Sequence, residues 1–82
     1  MSNVLIEVYV PTIDKVFDVM VPERIKVYEL TSLLTKIVAR LAEGLYIPSD
    51  AVLCDGRKGK IYRNDVTLEE MKIKNGSRVM LI

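Results

Sequence analysis

Residues 27–45, VYELTSLLTKIVARLAEGL, decide the fold. Val27, Leu30, Leu33, Leu34, Ile37, Val38, Leu41 and Leu45 recur at the three- and four-residue spacing of an α-helix and form one broad apolar stripe. Glu29, Ser32, Lys36, Arg40 and Glu43 fall on the other side. A helix with one such stripe must bury it, and covering one face of one sheet does so. The spacing predicts a helix from Val27 to Glu43. Gly44 would end it in a left-handed cap, and Pro48 follows to prevent its resumption. No Ser, Thr, Asp or Asn lies just before Val27, so the start is poorly capped.

Upstream of this helix the period is two. Val4, Ile6, Val8 and Val10 alternate with Leu5, Glu7 and Tyr9, which reads as a strand. Pro11-Thr12-Ile13-Asp14 carries turn chemistry. A second strand runs from Lys15 to Val21, with Phe17, Val19 and Val21 facing away from Asp18, and Pro22 stops it. The two strands are close enough to form an antiparallel hairpin.

Downstream, Asp50 to Cys54 reads as a short strand, and Asp55-Gly56 opens a turn into a brief partner strand, Lys60-Ile61-Tyr62. Thr67-Leu68-Glu69-Glu70-Met71 predicts one helical turn, with a Thr cap and a Glu three residues on. Asn75-Gly76 is a tight turn before a final strand, Ser77 to Ile82. Its alternation sets Val79 and Leu81 on one face and Arg78, Met80 and Ile82 on the other. The last strand fits beside the first in parallel, reached by a long crossover. The expected class is α+β: a β-grasp with a mixed sheet of four to five strands, one helix packed across one face, and a single domain over residues 1–82.

Composition narrows the function. The 82 residues are 50% hydrophobic and 28% charged, as in a folded protein with one modest core. Twelve Lys and Arg against eleven Asp and Glu give a net charge of +1, which does not favour nucleic acid as a partner. The absence of histidine removes the Ser-His-Asp and Cys-His arrangements and the zinc sites built on His. Cys54 is the single cysteine, so no internal disulfide forms. Met-Ser-Asn-Val does not open like a signal peptide, and no apolar run nears the roughly 20 residues that span a bilayer. A cytoplasmic protein without direct membrane insertion is the expectation.

The chain resembles ubiquitin in plan over nearly its whole length. The resemblance rests on the helix from Val27 to Leu41, on Ile47-Pro48-Ser49-Asp50 after it, and on Thr67-Leu68-Glu69-Glu70-Met71-Lys72-Ile73-Lys74-Asn75-Gly76 before the last strand. In the last segment Leu68, Met71 and Ile73 are spaced to plug the open end of the core. Conjugated and sulfur-carrying members of the family end in a flexible Gly-Gly tail, whereas this sequence ends in Met80-Leu81-Ile82. Among tail-less members it is similar to the bacterial YukD/EsaB group, accessory components of type VII (WXG100) secretion. That resemblance implies protein contacts, no enzymatic activity and no cofactor. The alternatives are a modifier or sulfur carrier with a missing tail, and a small RNA-binding β-grasp protein.

The candidate partner-binding site is the sheet face turned away from the helix. Alternation assigns Leu53, Met80 and Ile82 to it, beside Leu5, Tyr9, Val16 and Met20. By position Leu53, Met80 and Ile82 match the recognition patch that the resemblance implies. A contiguous apolar area on an open sheet marks an interface, with a partner or in a homodimer. Val52 and Cys54 are expected to face the helix, leaving Cys54 a buried thiol with no base to activate it. Arg57-Lys58-Gly59-Lys60, with Arg63, reads as a solvated hairpin tip. Asp50, Asp55, Asp65, Glu69 and Glu70 fit no calcium-loop spacing. Catalytic, cofactor and metal residues are expected to be none.

Overall fold

The computed structural model describes residues 2–46 and 50–82. The Ile47-Pro48-Ser49 part of the resemblance lies outside the described residues.

The period-two segments pair as expected. β1 (Asn3–Val10) and β2 (Lys15–Pro22) form an antiparallel hairpin in which Val4 faces Val21, Ile6 faces Val19 and Val8 faces Phe17. Pro11–Ile13 make a short 3-10 turn, and Asp14 closes it in the left-handed region at φ 50. Asp tolerates that conformation because its short side chain bonds locally. β4 (Arg78–Leu81) lies parallel to β1, and β3 (Leu53–Asp55) is antiparallel to β4. The sheet order is β2-β1-β4-β3, the mixed arrangement that the crossover requires. Lys60-Ile61-Tyr62 does not become a fifth strand. It contributes a single bridge, Ile61 to Cys54, held by Asp55 N–H to the Lys60 carbonyl at 2.8 Å and Tyr62 N–H to the Leu53 carbonyl at 3.0 Å.

α1 (Val27–Leu41) buries Val27, Leu30, Leu34 and Val38 completely against Val4, Ile6, Val8, Val10, Val79 and Leu81. The stripe is narrower than the sequence implies: Leu33 and Leu41 are exposed, and Ile37 is half-buried. No side chain caps the start at Lys26. The orphan amides there are met by backbone instead, Val27 N–H to the Val66 carbonyl at 2.9 Å and Tyr28 N–H to the Asn64 carbonyl at 3.2 Å. At the other end the chain leaves the helix before Gly44: Glu43 at φ 51 and Gly44 at φ 89 are both left-handed.

Thr67 and Glu70 form the reciprocal capping contacts, with Glu70 N–H to Thr67 Oγ1 and Thr67 N–H to Glu70 Oε1 both at 3.1 Å. No helix follows them. Lys72 turns into the left-handed region at φ 59, and Ile73 N–H bonds back to the Leu68 carbonyl at 2.9 Å. That reversal drops Leu68 and Ile73 into the core, with Met71 packed at its edge.

Candidate protein-interaction surface

The parity of β1 and β2 directs Leu5, Glu7 and Tyr9, with Val16, Asp18 and Met20, away from the helix. Cross-strand pairing arranges them in rows. Tyr9 stands between Val16 of β2 and Met80 of β4, and Met80 faces Cys54, whose other neighbour is Ile61. This apolar row runs across the whole sheet: Val16, Tyr9, Met80, Cys54, Ile61. Beside it Val52 and Ile82 exchange both backbone hydrogen bonds, at 2.8 and 3.0 Å, so their side chains share the same face. Val16 (44%), Val52 (37%), Ile61 (62%) and Ile82 (49%) are solvent-exposed, while Tyr9 and Met80 are half-buried.

The row on the other side of Tyr9 is charged. Glu7 lies between Asp18 and Arg78, and Arg78 Nε sits 3.4 Å from Glu7 Oε2. Leu5 and Met20, which face each other, lie beyond it. The expected face therefore divides. Tyr9, Met80 and Ile82 belong to one strip with Val16. Leu5 and Met20 are on the same face but form a separate exposed pair behind the charged row.

Leu53 does not belong to the face. It is 2% exposed and pairs with Leu81, so it points into the core. β3 is set one residue away from the alternation expected of it, and such a slip exchanges the two faces of a strand. Val52 takes the place expected of Leu53. Cys54 is buried, but on the side of Met80 and not beneath the helix. Burial pushes its thiol pKa up, away from nucleophilic behaviour.

Two tyrosine hydroxyls are tied down near this surface. Tyr9 donates to Asp14 Oδ1 at 3.0 Å, which raises the Tyr9 pKa because the phenol bonds to an anion. Tyr62 reaches Asp55 Oδ2 at 3.4 Å, and burial first, then the Asp55 charge, pushes its pKa up to about 12. Asp55 is held below the usual carboxylate range by the Lys58 and Arg57 backbone amides, at 2.8 and 2.7 Å. Among the described residues no three His, Cys, Asp or Glu side chains converge to hold a metal, and no helix is long and apolar enough to cross a membrane.

No family profile matches the sequence, and no curated protein matches it. Solved structures do. The EccD5 ubiquitin-like domain from Mycobacterium xenopi superposes with a TM-score of 0.84 at 17% identity, over 100% of this chain and 94% of that one. A chain of the MycP5-free ESX-5 inner membrane complex gives 0.82 at 22% identity, matching 100% of this chain but only 21% of its own length. The ubiquitin-like domain of the Mycobacterium tuberculosis type VII secretion system protein ECCD1 gives 0.78 at 11% identity, over 100% and 99%. A chain of the toluene 4-monooxygenase HD complex also gives 0.78, at 12% identity over 98% and 96%, so the fold alone does not separate binding from catalysis. At these identities the likeness speaks to architecture, and the architecture is that of a ubiquitin-like, β-grasp domain.

Proposed function

We propose that this domain is a non-enzymatic protein-binding module whose contact surface is the strip formed by Val16, Tyr9, Met80, Val52 and Ile82. One observation carries the reading. A sheet face left open by its helix is normally polar, yet here an apolar row crosses all four strands and continues onto Ile61. Tyr9 fits the centre of such a surface: a rigid ring, half-buried, with its hydroxyl already satisfied by Asp14. The strip offers flat apolar contact and no nucleophile, since the Cys54 thiol beneath it is buried.

The setting we propose is type VII (WXG100) secretion, in a YukD-like role in the bacterial cytoplasm. The EccD ubiquitin-like domains of that system are among the folds this chain superposes on. The partner is then another component of the secretion apparatus, and a homodimer through the same strip is the simplest alternative occupant. The test compares wild type with Met80→Glu and Val52→Glu, using capture from the native cell with mass spectrometry and sedimentation of the purified protein. The reading expects secretion components on wild type, absent from both variants, and retained by Lys36→Glu on the helix. Equal capture by all four proteins would move the interface elsewhere.

A further inference from the structure

Charge is unevenly distributed over this nearly neutral chain. A groove of about 450 Å³ lies between residues 55–62 and residues 71–78. Arg57, Lys58, Lys60, Lys72, Lys74 and Arg78 line it, with Asp55 as the single carboxylate. Half of the chain's twelve Lys and Arg therefore line one groove with one of its eleven Asp and Glu. The remainder of the chain holds six cations against ten carboxylates.

Local neutralisation is slight. The Asp55 carboxylate is occupied by the turn amides of Arg57 and Lys58 and by the Tyr62 hydroxyl. Arg78 is shared with Glu7 at 3.4 Å. Among the described residues none of Arg57, Lys58, Lys60, Lys72 or Lys74 enters an ion pair. Like charges gathered in a concavity raise the local potential and attract anions.

The lining is also apolar. Ile61, 62% exposed, sits in the groove together with Met71 and Ile73. A ligand made only of phosphates would leave Ile61 in water. A single-stranded nucleic acid would want aromatic faces for its bases, and Tyr62 is the one aromatic residue in the lining, its hydroxyl held at Asp55. An extended peptide with carboxylates on both sides of an apolar residue satisfies both features.

We propose that this groove binds an acidic peptide segment of a partner protein, with an apolar side chain seated on Ile61 and flanking carboxylates on the lysines. It is a second binding surface, which shares Ile61 with the end of the sheet strip and is set apart from it by its cationic lining.

The test is a titration of ¹⁵N-labelled protein with the synthetic peptide Glu-Asp-Glu-Leu-Phe-Asp-Glu-Asp, followed by amide shifts at low salt. Saturable shifts confined to residues 55–62 and 71–78, weakened by added salt, are expected. Lys58→Glu with Lys74→Glu should weaken binding by roughly tenfold or more, with an unchanged thermal melt because both side chains are exposed. Replacing Leu-Phe by Ser-Ser in the peptide should weaken it comparably, whereas the uncharged change Val16→Ser, on the far edge strand of the sheet, should leave the affinity unchanged. The proposal is overturned by the absence of saturable shifts, by indifference to the Leu-Phe replacement, or by loss of binding in Val16→Ser. Tighter binding of an oligouridylate or of phosphatidylserine vesicles would overturn it equally.

Discussion

Leu53 stands directly opposite Leu81 across the antiparallel β3–β4 pair, and both side chains are sealed in the core. The consequence for mutagenesis is sharp. Leu53→Glu must bury an unpaired charge among Leu81 and its neighbours and should unfold the domain. Val52→Glu, paired with the solvent-facing Ile82, should melt within a few degrees of wild type. Thermal denaturation of the two variants checks this. A folded Leu53→Glu would reverse the face assignment of β3.

β1, β2 and β4 were legible in the sequence because one charged residue in each, Glu7, Asp18 and Arg78, marks the outward parity beside apolar neighbours. β3 was not. Val52, Leu53 and Cys54 are apolar in succession, so hydrophobicity alone cannot say which points inward, and the pairing of Leu53 with Leu81 decides it. The same uncertainty hid Val52 from the candidate surface. Ile61 was hidden because a one-residue bridge leaves no periodic signal. The division of the face by Glu7, Asp18 and Arg78 depends on strand order, which a single-strand pattern does not encode. Lys72 and Lys74 reach the groove through the left-handed turn at Lys72, also invisible to periodicity.

The helix provides an internal control. Leu34 and Leu41 lie on the same predicted stripe, yet Leu34 is fully buried and Leu41 is 53% exposed. Leu34→Ala should cost about 2–5 kcal/mol, because the core cannot collapse fully into the space left. Leu41→Ala should change stability by no more than about 0.5 kcal/mol. Chemical denaturation of both variants measures the difference, and equal losses would place the last turn of α1 over the core.

Asp55 and Tyr62 predict opposite ends of the pH–stability curve. Asp55 has its pKa depressed from 3.8 by the Lys58 and Arg57 amides. Its contribution is complete above the ordinary Asp range and is lost as pH falls through the lower folded value. Tyr62 is raised from 10.0 to about 12, so its contribution is complete below pH 10.0 and is lost as pH rises through about 12. Melts across pH should therefore decline at both ends. Asp55→Asn should flatten the acid limb and Tyr62→Phe the alkaline one. Phenolate absorbance showing Tyr62 ionising in the ordinary tyrosine range would contradict the second half.

Gly56 and Gly59 sit three residues apart in one hairpin and should fail for different reasons. Gly56 has no left-handed requirement, but its N–H bonds the Arg78 carbonyl at 2.9 Å, and a Cβ there would meet that carbonyl's oxygen at 2.7 Å and carbon at 2.8 Å. These are backbone atoms, so the strand itself must move. Gly56→Ala should cost about 1–3 kcal/mol and shift the amide signals of Arg78 and Glu7. At Gly59 a methyl group would meet nothing within 4 Å, but the backbone holds φ +72. Gly59→Ala should cost about 1–2 kcal/mol through backbone strain alone and leave Arg78 undisturbed. Asparagine separates the two causes, since it accepts the left-handed region readily yet still carries a Cβ. Gly59→Asn should recover most of the loss seen with alanine, while Gly56→Asn should be at least as damaging as Gly56→Ala. Recovery at Gly56 would mean that conformation, and not the approach of Arg78, is what that position demands.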